Sequence, residues 1–434
     1  MALPWFVKRY PDLNFPVSFP PELLSHIIRD VCYNHDPRHP AFRRACCRMT
    51  LVSRAWQAVA NSTPSLWRYL LVEYSTSQLH LAAFLRNSGE APLFLCFRAN
   101  APIAADPDMV RQSLLESAVY ISHTIRRWVA IDVELKDASV FHSVLLYLAS
   151  LPSPPLRVLR LACAVPRHAD RRSSFAYGFH GPTLRQLALD GAPPWSSPSP
   201  PTVALTRLSL HQCSWPNYSD FFEFVSLTSA LRHLSIGTVR FAGTLPATVV
   251  HLPSLDHVDL LFGSNVDSIP VVASLFSRLT YPALLEVAIS FNGYGSVSEF
   301  LRTPLAFRAS SARLSGICSI DEDFADVYHR LFGVVTLDLS HGQRAMVSAL
   351  SAEKSHALPL PSLSTLLLYM PNWRSLLDVI SSRNDGQLAP LHLRCNYPEH
   401  LAVTHHLPHI ADHDLESHHR VLSLVSSFSW IHPM

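Results

Sequence analysis

"LTRLSL", Leu205–Leu210, places leucine at its first, fourth and sixth positions. In an extended chain alternate side chains share a face, so Leu208 and Leu210 point one way while Arg207 and Ser209 point the other. The pattern returns as "LRVLRL" at Leu156, "LRQLAL" at Leu184, "LRHLSI" at Leu231, "LDHVDL" at Leu255, "LLEVAI" at Leu284, "VVTLDL" at Val334, "LSTLLL" at Leu363 and "LAPLHL" at Leu388. Successive starts lie 21 to 29 residues apart, except for one interval of 50 after Leu284, where a degenerate unit is expected around "ARLSGICSI". "PLFLCF" at Pro92 and "WVAIDV" at Trp128 read as irregular first turns. A single such unit buries too little to close a core, so a near-constant period predicts strands stacked side by side, each followed by a helix or loop that returns the chain to the next. Prolines precede many of these strands, as in "LPSPPLRVLRL" and "HLPSLDHV", where a fixed φ and a missing donor suit an incoming loop.

The spacing is similar to that of leucine-rich repeats, and the fold expected is α/β, an irregular leucine-rich-repeat-like solenoid over residues 73–400. The asparagine or cysteine that follows the last leucine in such repeats survives at Cys213, Asn292 and Asn396 only, hence the irregularity. Residues flanking the inward leucines then line an outward, concave face: Arg160, Asp190, Arg207, His211, His233, His257, Asp259, Glu286, Asp338, Ser340, Tyr369, His392 and Arg394. That face is mixed in charge and rich in histidine, which suits a protein surface better than a phosphate cradle.

Ahead of the repeats the period changes. In "FPPELLSHII", residues 19–28, two prolines suit a first helical turn, and Leu23, Leu24, Ile27, Ile28 and Val31 then recur as one apolar stripe. A second helix is expected from Pro40 to about Asn61, with Phe42, Ala45, Cys46, Met49, Val52, Trp56 and Val59 near one face and Arg43, Arg44, Arg48, Arg54 and Gln57 on the other. "STPSLW" restarts the chain with Ser62 or Thr63 as cap and Pro64 in the first turn. A unit of this size shelters too little of its own apolar surface to stand alone and needs a partner.

From Phe19 to Leu70 the chain resembles an F-box. Pro21, Glu22, Leu23, Leu24 and Ile27 match its first part, Leu51, Val52, Arg54 and Trp56 its second, and Pro64, Leu66 and Trp67 its third. It departs at Phe19 and Pro20, where leucine usually precedes the proline, and in a longer, basic spacer between Tyr33 and Arg48. The combination is similar to the F-box and leucine-rich-repeat proteins of mushroom-forming fungi. The resemblance implies an N-terminal extension at 1–17, a helical F-box domain at 18–72, the solenoid, and a histidine-rich tail or capping segment at 401–434. It further implies docking on the Skp-type adaptor of a cullin ligase core through Pro20, Pro21, Leu23, Leu24, Ile27, Ile28, Leu51, Val52, Trp56, Pro64, Leu66 and Trp67. The solenoid would hold a target protein for ubiquitin transfer; the alternative is an interaction scaffold with no role in degradation.

Composition sets bounds on other functions. Hydrophobic residues make up 48% and charged residues 16%, the balance of an ordered chain, and 35 basic against 33 acidic side chains argue against binding nucleic acid or a membrane surface through bulk charge. Eight scattered cysteines without CxxC suit free thiols, and the N-terminus lacks a secretory pattern, so a cytoplasmic or nuclear protein is expected. "VFHSVLLYLASL", Val140–Leu151, is short of the roughly 20 residues that span a bilayer and reads as a buried helix. No enzyme motif, cofactor or metal is expected. There is no GxGxxG or P-loop, and "NGYGSVS" from Asn292 lacks the spacing of a nucleophile elbow. "SIDEDFAD", with Asp321, Asp323 and Asp326, lacks the glycine and distal glutamate of a calcium loop. His405, His409 and His413 would share a helix face, but Pro408 interrupts it, so an exposed tail is the expectation.

Overall fold

The computed structural model describes residues 20–99, 105–163, 183–192, 204–215, 217–263, 268–292, 296–316, 324–339, 346–347, 349–350, 360–369, 373–385, 388, 390–396, 412–425 and 427–431. It is mixed α/β, with helices first and parallel strands after them, and the chain divides into two compact units, Met1–Thr202 and Val203–Met434.

The first unit opens with α1 (Pro21–Tyr33), α2 (Pro40–Met49), α3 (Arg54–Asn61) and the single turn α4 (Pro64–Trp67). Proline in the first turn starts three of them, where its missing N–H costs no helical bond. The single helix expected from Pro40 to Asn61 is two. Thr50 ends α2, and the Ser53 hydroxyl accepts from the Trp56 amide at 3.3 Å to cap α3, a local bond that competes with continued helix.

Next come β1 (Tyr69–Glu73), α5 (Gln78–Ser88), β2 (Leu93–Arg98), α6 (Pro107–Ile121), β3 (Trp128–Leu135), α7 (Ala138–Ser150), β4 (Val158–Cys163) and β5 (Gln186–Asp190). These strands pair in parallel in chain order, so Leu70, Leu95, Ile131, Leu159 and Leu187 fall in one register row and are all buried. The expected boundary at residue 72 cuts β1, which belongs to the sheet; the helical head ends at Trp67. The apolar run at Val140 is the helix α7, capped by Asp137 and burying Val140, Phe141, Val144, Leu145 and Leu148.

In the second unit β6 (Arg207–His211), β8 (His233–Ile236), β11 (His257–Phe262), β13 (Leu284–Phe291), β14 (Phe307–Gly316), β16 (Thr336–Leu339), β17 (Thr365–Tyr369), β18 (His392–Asn396) and β19 (Ser427–Ile431) form a parallel sheet, again in chain order. Two-residue and three-residue ladders lie beside it: β7 (Cys213–Trp215) with β9 (Val239–Phe241), β10 (Val250–His251) with β12 (Leu279–Thr280), and β15 (Leu331–Phe332) with the start of β14. Each motif leucine pair lands inside: Leu208 and Leu210, Leu337 and Leu339, Leu366 and Leu368 are buried. β14 fills the interval of 50 residues and pairs with both β13 and β16.

Within the segment expected as a histidine-rich tail or capping segment, residues Asp412–Leu424 and Ser427–Ile431 form a helix and a strand. α9 (Asp412–Leu424), which comes after α8 (Trp373–Asp385), leads into β19, and β19 extends the sheet in parallel beside β18. His405, His409 and Pro408 lie outside the described residues, as do Phe19, Ser340, Asp321, Asp323 and Cys318.

Arginines reach back along the chain to tie carbonyls outside the strand ladders. Arg127 donates to the Ala91 carbonyl at 3.0 Å and the Ser88 hydroxyl at 2.7 Å. Arg330 donates to the carbonyls of Leu301 at 2.7 Å, Leu305 at 3.2 Å and Thr303. Arg383, 2% exposed, donates to Leu360 at 3.2 Å and Leu363 at 2.7 Å. A buried guanidinium is tolerated only with such partners, and each pairing spares a carbonyl a desolvation cost of about 1–3 kcal/mol.

Candidate functional site

The head sorts its own residues into two sets. On α1, Leu24, Ile28 and Cys32 recur every four residues and are buried, against Phe42, Ala45, Cys46 and Met49 of α2. Leu66 and Trp67 are buried too; the Trp67 indole N–H donates to the Ala60 carbonyl at 2.7 Å, and its ring meets Phe84 edge-on at 4.9 Å. Tyr33 donates its hydroxyl to the Ser65 carbonyl at 2.9 Å. The head is fixed to the sheet by an aromatic run: Tyr33 and Phe42 centre 5.3 Å apart, Phe42 and Tyr69 5.8 Å, Tyr69 and Phe94 4.7 Å. An ion pair of 2.8 Å joins Arg43 of α2 to Glu73 of β1. The α1–α2 loop carries the pair Asp36–Arg38 at 2.9 Å.

The other set faces out. Leu23 is 47% exposed, Val31 38%, Val52 48% and Leu51 80%, with Ile27 and Trp56 half-buried and Pro20, Pro21 and Pro64 exposed. The single stripe expected on α1 is thus two rows, Leu24–Ile28–Cys32 inward and Leu23–Ile27–Val31 outward. Leu24, Ile28, Leu66 and Trp67, expected to touch an adaptor, are instead buried in the core of the head. Val52, expected on the apolar face of that helix, lies with Leu51 in the turn that separates α2 from α3.

Registered strand positions gather most of the expected polar face. In the first unit Arg160 stands beside Asp132, which Arg98 holds at 3.0 Å while also pairing with Glu134 at 2.9 Å. Cys96, next in that row, is buried, and burial with the nearby Asp132 charge pushes its thiol up to about 12. Asp190, at the end of β5, is exposed.

In the second unit Arg207, His233, His257 and Glu286 are register partners across β6, β8, β11 and β13. The same row runs on through Ser311, Thr336 and Thr365 to His392, whose ring nitrogen lies 2.6 Å from the Ser427 hydroxyl. Asp259, Asp338 and Arg394 belong to the row beside it, and the His211 ring lies 3.3 Å from the Ser235 hydroxyl. Tyr369 is on β17, in register with Asn396.

Charge networks join the centre of this face. His233 Nε2 is 2.7 Å from Asp259, His257 Nδ1 is 2.5 Å from Asp256, and the two imidazoles stack 5.9 Å apart. Arg313 bridges Glu286 at 3.2 Å and Asp338 at 3.0 Å, and Arg232 holds Asp256 at 2.5 Å. Burial opposes ionisation of Asp256, but the hydrogen bonds from His257 and Arg232 outweigh it and hold the carboxyl below the usual range. For Arg313, burial is likewise outweighed, by the Asp338 bond and the Glu286 charge, and its pKa is raised. Arg313, Asp256 and Arg232 escaped the sequence reading: the first lies on the degenerate strand β14, and the others directly precede strands β11 and β8.

Among the described residues no group of three or more histidine, cysteine or carboxylate side chains could hold a metal ion, and no helix is long and apolar enough to cross a membrane. Cys32, Cys46, Cys47, Cys96, Cys163, Cys213 and Cys395 are free thiols. No protein-family model matches the chain, and no curated protein matches it in sequence.

Proposed function

We propose that the chain is the substrate-recognition subunit of a Skp/cullin/F-box ubiquitin ligase, with the head as the F-box and the strands behind it as an irregular leucine-rich-repeat solenoid. One observation carries this reading. The head has a complete small core and still leaves Leu23, Val31, Leu51 and Val52 exposed, at positions drawn from the same ordered segments that resemble an F-box. At about 25 cal/mol per Å² of apolar surface, a few hundred Å² covered by a second polypeptide would return several kcal/mol. The polar face of the sheet would hold the target. The chain itself would make or break no bond; it would raise the effective concentration of target lysines near a ubiquitin-charged enzyme.

The test is capture of a purified Skp-type adaptor by the full chain. Leu23→Asp with Ile27→Asp, or Trp56→Ala, should abolish capture while circular dichroism of the sheet is unchanged. Retained capture by both variants would end the assignment. Stabilisation of a co-purifying target when the head is mutated would separate a degradation role from a scaffold.

A further inference from the structure

We propose that the surface docking on the head has an apolar centre and an acidic margin, and that Arg44, Arg48 and Arg54 receive that margin; the inference rests on the docking role proposed above. The charge of the chain is unevenly placed. Overall 35 basic residues nearly balance 33 acidic ones, yet residues 20–68 hold seven arginines against the three carboxylates Glu22, Asp30 and Asp36.

Three of the seven are engaged within the molecule. Arg38 pairs with Asp36, Arg43 with Glu73, and Arg68 lies over the rings of Tyr69 and Phe94 at 4.9 and 5.1 Å. The other four, Arg29 on α1 and Arg44, Arg48 and Arg54 around the α2–α3 turn, are exposed and, among the described residues, make no ion pair. Arg44 and Arg48 are one turn apart on α2. The turn that follows carries Leu51 and Val52, and Arg54 then opens α3, two residues before Trp56. The most exposed apolar side chains of the head are therefore bracketed in sequence by cations that, among the described residues, no carboxylate pairs with.

That arrangement selects among partners. A wholly apolar surface closing over Leu51 and Val52 would strip water from guanidinium groups and give no hydrogen bond back. A basic surface would be repelled. A carboxylate margin satisfies the guanidinium forks and steers the encounter. Nucleic acid would answer the cations but not the leucine and valine between them.

The experiment uses the full chain and a purified Skp-type adaptor, with association rates measured as ionic strength rises from about 0.01 M to about 1 M, a range that shortens the screening length from about 30 Å to about 3 Å. Association of the wild type should slow by about ten- to a hundredfold over that range. The triple variant Arg44→Glu/Arg48→Glu/Arg54→Glu should associate about tenfold more slowly at the low-salt end and lose the dependence, while the triple lysine variant keeps it. If the glutamate variant matched the wild type at every salt while Leu23→Asp/Ile27→Asp still abolished capture, the docking role would stand and the acidic margin would be disproved. No capture of the adaptor by the wild type at any salt, or duplex DNA binding in its place, would overturn both.

Discussion

Leu23 and Leu24 are neighbours on α1, and one is 47% exposed while the other is 3% exposed. Leu337 and Asp338 are neighbours on β16, and there the leucine is buried and the outward position is an aspartate bound to Arg313. Both elements separate adjacent residues, the helix by its rotation and the strand by its alternation. They differ in what the sequence supplies to the outward side. The sheet of the second unit supplies His233, His257, Asp259, Glu286 and Asp338, groups that are content in water. The head supplies Leu23, Val31, Leu51 and Val52. The head therefore leaves neighbouring apolar side chains uncovered in α1 and the α2–α3 turn, whereas the outward row of the sheet from Arg207 to His392 is polar throughout.

The largest effect that tests this contrast is on the buried side of the head. Trp67→Ala removes a 4% exposed indole together with its bond to Ala60, and a cost of about 3–5 kcal/mol is expected. Hydrogen exchange should then show protection lost through α1–α4 and kept in β11, β13 and β14; equal loss in both places would erase the distinction between head and sheet. Next is Gly316, which closes β14 at φ +126°, where an added Cβ would sit 1.9 Å from the Phe291 carbonyl oxygen. Gly316→Ala should cost about 1–3 kcal/mol, read as a lower thermal midpoint. A neutral result would mean that β13 does not constrain the end of β14.

How much of this was legible follows the same division. Strand positions were readable because a period of two leaves no choice of face: once Val258 and Leu260 of "LDHVDL" are inside, His257 and Asp259 must be outside. The head was less so. Apolar residues at Phe42, Met49, Val52, Trp56 and Val59 keep a helical period through the break, and only the Ser53 cap, a hydrogen bond rather than a pattern, ends one helix and starts another. The two-sided character of α1 was hidden because leucine occupies both sides. β19, "SFSWI", carries no leucine at all, so its place beside β18 was beyond the reach of the motif. Arg127, Arg330 and Arg383 bind carbonyls of residues 20 to 36 positions away, which no local spacing encodes.

A smaller effect sharpens the polar side. The folded pKa of Asp256 lies below its unfolded value of about 3.9, so its contribution is present above that pH and is lost as pH falls through the folded value. For a pair this close to the surface the contribution is about 0–1 kcal/mol. Thermal midpoints of the wild type and of Asp256→Asn, followed from neutral pH down to about pH 3, should differ at neutrality and converge in acid. A gap that stayed constant with pH would mean that His257 and Arg232 do not stabilise the charge.

The smallest effect is the most discriminating. Leu51 is 80% exposed in a turn, so Leu51→Ser removes almost no burial within the chain, and its stability should stay within about 0.5 kcal/mol of the wild type. An inward leucine such as Leu66, fully buried, should cost about 2–5 kcal/mol as alanine. If Leu51→Ser destabilised the isolated chain by a comparable amount, Leu51 would already be covered by part of the chain, and the apolar surplus of the head would vanish. If it left the melt unchanged and weakened adaptor capture, the surplus would be located at the turn between α2 and α3, because a residue with little to lose inside its own fold can owe its effect only to a surface brought from outside.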